Sequence, residues 1–195
     1  MSKNRTCSSS KGVHLIKNKR QARKLCYQIF NQGLTLPESY IKQKNYVYFQ
    51  EFVPNQGFDL RVIIVGNSYF GYYRLPRKGD YRASGSGITH KREIPQEALL
   101  LAKKVKNCLP KTHMLAVDFL QDIRDNQYYI IETSIFIRIE TSEQLVVNGV
   151  PGRYIEHNEI FTFEEGRFWL QELMMLELMK EWIVLNSEGS GEIIE

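Results

Sequence analysis

The stretch that decides the fold is Leu115-Ala-Val-Asp-Phe-Leu-Gln-Asp122 followed, after a polar loop, by Tyr128-Tyr-Ile-Ile-Glu-Thr-Ser134. Two apolar runs joined by a short loop with Asp and Asn are typical of a β-hairpin. With the turn near residue 125, Asp118 lies directly opposite Glu132. Both side chains then point to the same face, because strand side chains alternate, and Ser134 points that way too.

Like charges directly opposite each other destabilise a hairpin unless they are neutralised. A cation between the two carboxylates would explain the pattern, and carboxylate and phosphate oxygens are the usual ligands of Mg²⁺. The residues therefore predict a metal site formed by Asp118, Glu132 and Ser134. The alternative is a pair of solvated carboxylates on an exposed sheet face, and the hairpin alone does not decide between the two.

Composition places the chain among globular proteins with a sizeable core. It has 195 residues, of which 43% are hydrophobic and 12% aromatic. No apolar run is long enough to span a membrane, which takes about 18 residues. Three widely spaced cysteines without a Cys-x-x-Cys pattern favour a reducing, cytoplasmic location over a disulfide framework or a zinc site.

Charge is distributed unevenly along the sequence. Residues 1–92 hold 17 Lys and Arg against 4 Asp and Glu, whereas residues 93–195 hold 9 against 18. A basic half facing an acidic half suits an anionic ligand held with its metal. It also suits nucleic-acid binding by the N-terminal half. The charge asymmetry alone does not decide between these two functions.

Periodicity and turn residues predict an α+β chain with mainly antiparallel strands. The long glycine-rich, basic segment 76–92 is expected to be a functional loop. A polar segment is expected at 140–153 with an Asn148-Gly149 turn, and a disordered tail at 186–195. The predicted strands span 13–16, 46–53, 60–65 and 69–75 together with the two of the hairpin, and the predicted helices span 19–32, 95–108 and 166–184.

The last of these helices is apolar around much of its circumference. Leu, Met and Trp residues such as Trp169, Met179 and Trp182 do not fall on one stripe. Such a helix is either well buried or a partner surface. The expectation from the sequence is a core helix, with room left for a dimer.

Two groups of residues suit a nucleotide. The segment Gln50-Glu51-Phe52-Val53 ends a strand, so its backbone can hydrogen-bond an adenine edge while Phe52 and Val53 flank the ring. Asp59 can accept from ribose hydroxyls. The alternative for this segment is an ordinary hairpin with one exposed acid. The second group is cationic and suits phosphate; it comprises Arg61, Arg74, Arg77, Lys78 and Arg82.

The order of these motifs along the chain resembles that of the ATP-grasp superfamily, whose fold is found in D-alanine–D-alanine ligase and glutathione synthetase. Lys3 stands nine residues before Gly12, as the phosphate-binding lysine stands before the glycine-rich loop of that family. The segment Gln50–Val53 resembles the adenine-binding linker, and Asp59 occupies the ribose position. Arg74 and Gly79-Asp80-Tyr81-Arg82 resemble the elements that line the phosphate and acceptor side. Asp118 and Glu132 match the two metal-binding carboxylates.

The resemblance implies an ATP-grasp fold, in which two α+β lobes with largely antiparallel sheets clasp a nucleotide. Residues 1–53 would form part of the small lobe and residues 54–185 the large lobe. Lys3, Gly12, Gln50, Glu51, Phe52, Val53 and Asp59 would bind ATP. The catalytic cations would be Arg61, Arg74 and Arg82, and Mg²⁺ would bind Asp118, Glu132 and Ser134.

The implied activity is ATP- and Mg²⁺-dependent ligation of a carboxylate to an amine through an acylphosphate. Three departures accompany it: Ser134 stands where the family has Asn, the segment before Gly12 has no other glycine, and the N-terminal lobe is missing. A nucleotide-binding fragment without activity of its own, needing a partner lobe, is therefore the second hypothesis. The third is a basic nucleic-acid-binding domain. Beyond ATP, the expected partners are a carboxylate substrate, a nucleophile acceptor, and either a second copy of the chain or a separate N-terminal lobe.

Overall fold

The computed structural model describes residues 2–3, 13–35, 42–135, 137 and 141–188, and strands and three helices make up more than half of these residues. A π-helical turn, Gln28–Gln32, extends the first helix. The helices are α1 (Lys19–Tyr27), α2 (Gln96–Asn107) and α3 (Leu170–Glu188). The strands are β1 (Ser2–Lys3), β2 (Leu34–Thr35), β3 (Lys42–Gln43), β4 (Tyr48–Phe49), β5 (Asp59–Val65), β6 (Ser68–Leu75), β7 (Ile88–His90), β8 (Met114–Gln121), β9 (Tyr128–Ser134), β10 (Val146–Val147), β11 (Val150–His157) and β12 (Ile160–Glu165).

One eight-stranded sheet dominates the fold, and each of its strand pairs is antiparallel. Its order is β10-β11-β6-β5-β8-β9, with β12 paired to β11 and β7 paired to β6. Two small antiparallel pairs, β1 with β4 and β2 with β3, lie outside it. The predicted α+β class with largely antiparallel sheets is therefore confirmed.

Strand β5 is buried and apolar on both faces of the sheet from Val62 to Val65, within the largely apolar run 60–65 that predicts a buried strand. Leu60, Val62 and Ile64 point to one face, where they belong to the same buried cluster as Ala98 and Leu99 of α2. This burial of β-branched and leucine side chains is the main source of stability in the fold.

Several predicted elements are confirmed with shifted ends. The strand expected over 46–53 pairs only at Tyr48–Phe49, and the last helix runs from Leu170 to Glu188. Asn148 and Gly149 both have positive φ, 52° and 83°, which is the backbone of the tight hairpin turn expected there. The segment expected to be merely polar contains β10 and the start of β11.

The expectation that α3 is a core helix is wrong for one of its faces. Leu170 is fully buried, but Met175, Met179 and Trp182 are each more than half exposed. When a helix is apolar on both sides, its sequence pattern does not show which side is buried and which is exposed. None of the helices in the described part of the chain combines the length and apolar character needed to cross a lipid bilayer.

Replacing Gly71 by Ala should destabilise the fold, because the new Cβ would lie 2.4 Å from the Arg61 carbonyl oxygen and 2.7 Å from Ile94 Cδ1. We expect a loss of about 1–3 kcal/mol in the free energy of unfolding, measured by urea denaturation. Gln127→Ala, on the exposed hairpin loop, is the control and should change stability by less than about 0.5 kcal/mol. Equal stabilities of the two variants would contradict this packing.

Candidate functional site

Charged side chains lie in neighbouring positions on one face of the large sheet. Asp59 pairs with Arg74 across β5 and β6, Arg61 pairs with Asp118 across β5 and β8, and Asp118 pairs with Glu132 across β8 and β9. Directly opposed residues share a face, and Asp59 and Arg61 are two residues apart. We call these five residues the charged row. It lies on the face opposite to Leu60 and Val62.

Four members of the charged row form a closed set of ion pairs. Arg61 donates to both oxygens of Asp118, with Nε–Oδ1 and Nη2–Oδ2 distances of 2.7 Å. Arg74 donates to Asp59 from Nε (2.6 Å) and Nη2 (3.0 Å), and its Nη2 also reaches Oδ2 of Asp118 at 2.8 Å. Two cations and two anions thus neutralise each other where Asp59, Arg74 and Asp118 are buried.

The two carboxylates of this set differ in acidity. Burial raises the pKa of a carboxyl, and nearby guanidinium groups lower it. At Asp118, burial is outweighed by Arg61 and Arg74, so the pKa lies below its ordinary 3.8. At Asp59, burial outweighs the effect of Arg74 and the pKa is raised. Asp118 is therefore the more firmly held anion of the two.

The predicted hairpin register is confirmed. Asp118 lies opposite Glu132, and an irregularity in the pairing follows directly at Phe119. Ser134 pairs with Ala116 two positions along, so it shares the face of Glu132. The repulsion between the two carboxylates is reduced here by Arg61 and Arg74, which reach Asp118 from β5 and β6, and by the exposure of Glu132 to solvent on β9.

The predicted Mg²⁺ ligands fit that ion only in part. Glu132 and Ser134 place two oxygen-bearing side chains on one face, which is suitable ligand chemistry. Asp118, however, already accepts hydrogen bonds from two guanidinium groups, so a cation beside it would be repelled by Arg61 and Arg74 unless another anion neutralised them. Over the described ranges, no three His, Cys, Asp or Glu side chains are grouped closely enough to hold a metal ion.

The predicted adenine-binding linker lies beside the hairpin loop. Arg124 of that loop is 3.6 Å from the Glu51 carboxylate, and the Ile123 N–H donates to the Pro54 carbonyl at 3.0 Å. Phe52 is 41% exposed. The linker, Gln50–Val53, and the hairpin are thus brought together, although they are far apart in sequence.

Other predicted residues are not joined to the charged row by any hydrogen bond or ion pair that the structure describes. Arg82 pairs with Asp80 within its own loop, with Nη2–Oδ2 at 2.8 Å. The neighbouring Tyr81 hydroxyl donates to the Val13 carbonyl at 2.9 Å and ties the loop to the N-terminal segment. The backbone of Lys3 pairs with Tyr48; its side chain, and all of Gly12, lie outside the described residues.

Tyr72 is a member of this site that was not predicted from the sequence. It lies opposite Arg61 on β6 and shares its face. Its hydroxyl contributes, after Asp118, to the raised pKa of the Arg61 guanidinium. The alternation Phe70, Tyr72, Arg74 along β6 is the signal that places Tyr72 beside the cations.

Comparison with known proteins identifies no family. No protein-family model matches the chain, and no curated protein matches it. Among solved structures, it is similar to the macrocyclase MdnB from Microcystis aeruginosa MRC, with 17% identity and a TM-score of 0.34. The similarity covers 63% of this chain and only 37% of the length of that structure. A likeness this low carries no inference about activity.

Replacing Asp118 by Asn should destabilise the protein strongly, because it leaves two guanidinium groups sharing the single charge of Asp59. We expect a loss of about 3–5 kcal/mol in the free energy of unfolding. Glu132→Gln removes the exposed carboxylate opposite Asp118 and should lower the free energy of unfolding by less than about 1 kcal/mol. Urea denaturation of both variants at neutral pH provides the comparison, and equal losses would contradict the assigned ion pairs.

The loss of stability caused by Asp118→Asn should also depend on pH. A lowered pKa means that ionised Asp118 stabilises the fold above its ordinary value of 3.8, and that this contribution is lost as the pH falls through the lowered pKa. The difference in unfolding free energy between wild type and Asp118→Asn should therefore be level from pH 7 down to about 4 and shrink as the pH falls below 3.8. A difference that already shrinks well above 3.8 would contradict the lowered pKa.

Proposed function

We propose that the charged row is the phosphate side of an ATP site, and that the chain is an ATP- and Mg²⁺-dependent ligase of the carboxylate–amine type. One observation carries the proposal: Asp118 and Glu132 lie side by side on a sheet face that also holds Arg61 and Arg74. Oxygen ligands beside guanidinium groups are the combination that a metal-bound polyphosphate needs.

The proposed roles follow from the ion pairs. Arg61 and Arg74 are fully charged and fixed in place by carboxylates, so they are preorganised for an anion. When a phosphate approaches, their N–H groups exchange a carboxylate oxygen for a phosphate oxygen. This exchange frees Asp118 to join Glu132 and Ser134 as a Mg²⁺ ligand. Because each cation gains one anion for the one that it loses, the exchange leaves no buried charge unpaired.

The linker supplies the proposed nucleoside contacts. Gln50, Glu51 and Val53 offer backbone groups to the adenine edge, and Phe52 offers an exposed ring to its face. The ribose role of Asp59 requires it to keep Arg74 on one oxygen and accept a hydroxyl on the other. Lys3, Gly12 and Arg82 remain predicted contacts to phosphate or to the acceptor.

The proposed reaction has two steps. A substrate carboxylate attacks the terminal phosphorus of ATP, giving an acylphosphate and ADP; an amine then attacks the acyl carbon and releases inorganic phosphate. Bound Mg²⁺ would supply charge neutralisation on the phosphates. The chain's own contribution is positioning and cationic stabilisation by Arg61 and Arg74, and no side-chain nucleophile is required.

A second candidate function is nucleotide binding without turnover, as a fragment that needs a partner lobe. The engagement of both Asp118 oxygens by arginine favours it, because the described side chains do not form a complete Mg²⁺ site. The two candidates share the nucleotide site and differ in whether phosphate is ever released.

Calorimetric titration of a non-hydrolysable ATP analogue, with and without Mg²⁺, tests the shared site. We expect Mg²⁺-dependent binding, and we expect Arg61→Ala to weaken it by at least about tenfold through loss of a charge-assisted contact. Arg167→Ala is the matched control, because Arg167 is exposed and pairs with Glu143 away from the charged row. An equal effect of both variants would contradict the site.

Phosphate release separates the two candidates. An active ligase should hydrolyse or transfer the terminal phosphate of ATP in the presence of acceptor carboxylates, and Glu132→Gln should abolish this while the protein stays folded. Nucleotide binding without release under any acceptor tried would favour the fragment. Turnover that survives in Glu132→Gln would exclude the proposed metal role.

A further inference from the structure

Helix α3 has two apolar faces, and within the described part of the chain one of them is covered and the other is exposed. On the inner face, Leu170 is buried and Leu173 and Met174 pack against the core cluster. The opposite side carries five side chains that are between 52% and 67% exposed. We call them the outer face: Met175, Leu176, Met179, Trp182 and Ile183. Their spacing of one, four, seven and eight residues from Met175 places them on a single stripe.

The charge of the outer face narrows the kind of partner that it can bind. It carries no Lys or Arg, and the charged residue at its end is Glu172; Glu177 and Glu181 instead line a cavity with Lys106 and His113. Anionic lipid headgroups and nucleic acid both select basic faces, so neither suits this surface. The apolar stripe therefore suits a protein surface of the same apolar character.

We propose that the outer face is a homodimer interface, in which the α3 helices of two copies pack antiparallel about a two-fold axis at Met179. In such a pair, residues at equal distances from the axis meet. Met175 of one copy meets Ile183 of the other, and Leu176 meets Trp182. Each apolar residue of the outer face is then covered by another, and the two Met179 side chains meet on the axis.

The polar ends of the stripe fix this register. Glu172 and Asn186 lie on the same stripe, seven residues before and seven after Met179. Antiparallel packing about Met179 therefore sets the Glu172 carboxylate of one copy beside the Asn186 amide of the other. Moving the axis one turn towards the start of the helix would instead bury Glu172 against Met179. The stripe is therefore self-complementary in the register centred on Met179.

The size of the contact matches a dimer of moderate strength. A helix of 19 residues is about 28 Å long. Covering five half-exposed side chains on each copy, one of them Trp, removes on the order of 1,000 Å² of surface, which is near the lower end for specific interfaces. We therefore expect association at micromolar concentrations.

Sedimentation equilibrium of the full chain over a range of concentrations tests this dimer. The mass should rise from 22.9 kDa towards twice that value. Met179→Glu places two carboxylates on the axis and should weaken the dimer by at least about 100-fold. Val184→Glu is the control: Val184 is similarly exposed, at 52%, but lies off the outer face, beside a cavity lined by Lys106 and Lys111. It should leave the dimer intact.

Asn186→Lys tests the antiparallel register. It sets a cation beside Glu172 of the other copy and should strengthen the dimer by about two- to fivefold. In a parallel pair it would set two lysines together and weaken the dimer. Thermal melts of each variant show whether the fold is kept, as the exposure of these positions predicts.

Each result of these experiments either supports the proposed dimer or overturns it. A dimer that Met179→Glu dissociates and Val184→Glu does not would support the proposal. A chain that stays monomeric at all concentrations would overturn it and leave a different protein as the occupant of the outer face. A dimer unaffected by Met179→Glu, or weakened by Asn186→Lys, would overturn the interface or its register.

Discussion

The bidentate pairing of Arg74 with Asp59, and its further contact with Asp118, is the interaction on which the rest of the site depends. Arg74 lies on β6 and binds Asp59 on the neighbouring strand β5 and Asp118 on β8, so its side chain joins three strands of the sheet. Without it, a buried aspartate would lie at the centre of an otherwise apolar sheet. The charge balance of two cations and two anions allows this polar face to coexist with the apolar core on the opposite side.

The same balance shapes the proposed chemistry. A preformed metal site would leave two carboxylates repelling each other until the ion arrived. The chain instead holds Asp118 with arginine, so a ligand that brings both phosphate and Mg²⁺ can replace the internal pairs without exposing unpaired charge. A bare cation or a bare phosphate would leave one side of the exchange uncompensated. In the proposed site, metal binding and nucleotide binding are therefore linked through Asp118.

Much of the central sheet could be predicted from the sequence because its signals are local. The apolar run 60–65 and the hairpin turn near residue 125 fix strand identity and register, which places Asp118 opposite Glu132. The partners of Asp118 could not be predicted, since Arg61 and Arg74 reach it across strand pairings that no local pattern specifies. The exposure of one side of α3 could not be predicted for a related reason. The sequence does not distinguish an apolar residue that packs against the core from one that lies on an exposed surface. Strands β11 and β12 have eight and six residues, but β11 has Pro151 and Gly152 directly after its first residue, a pair that is typical of a turn and hides the start of the strand.

The most direct test of this account is the ¹H–¹⁵N spectrum of the arginine Nε–H groups, with Arg61 and Arg74 assigned from Arg61→Lys and Arg74→Lys variants. If the charged row is the phosphate site, both signals should shift when Mg²⁺ and a non-hydrolysable ATP analogue are added together, and neither should shift with Mg²⁺ alone. Signals that stay in place at a nucleotide concentration that saturates binding would show that the arginines remain paired with Asp59 and Asp118. The charged row would then be a structural element only.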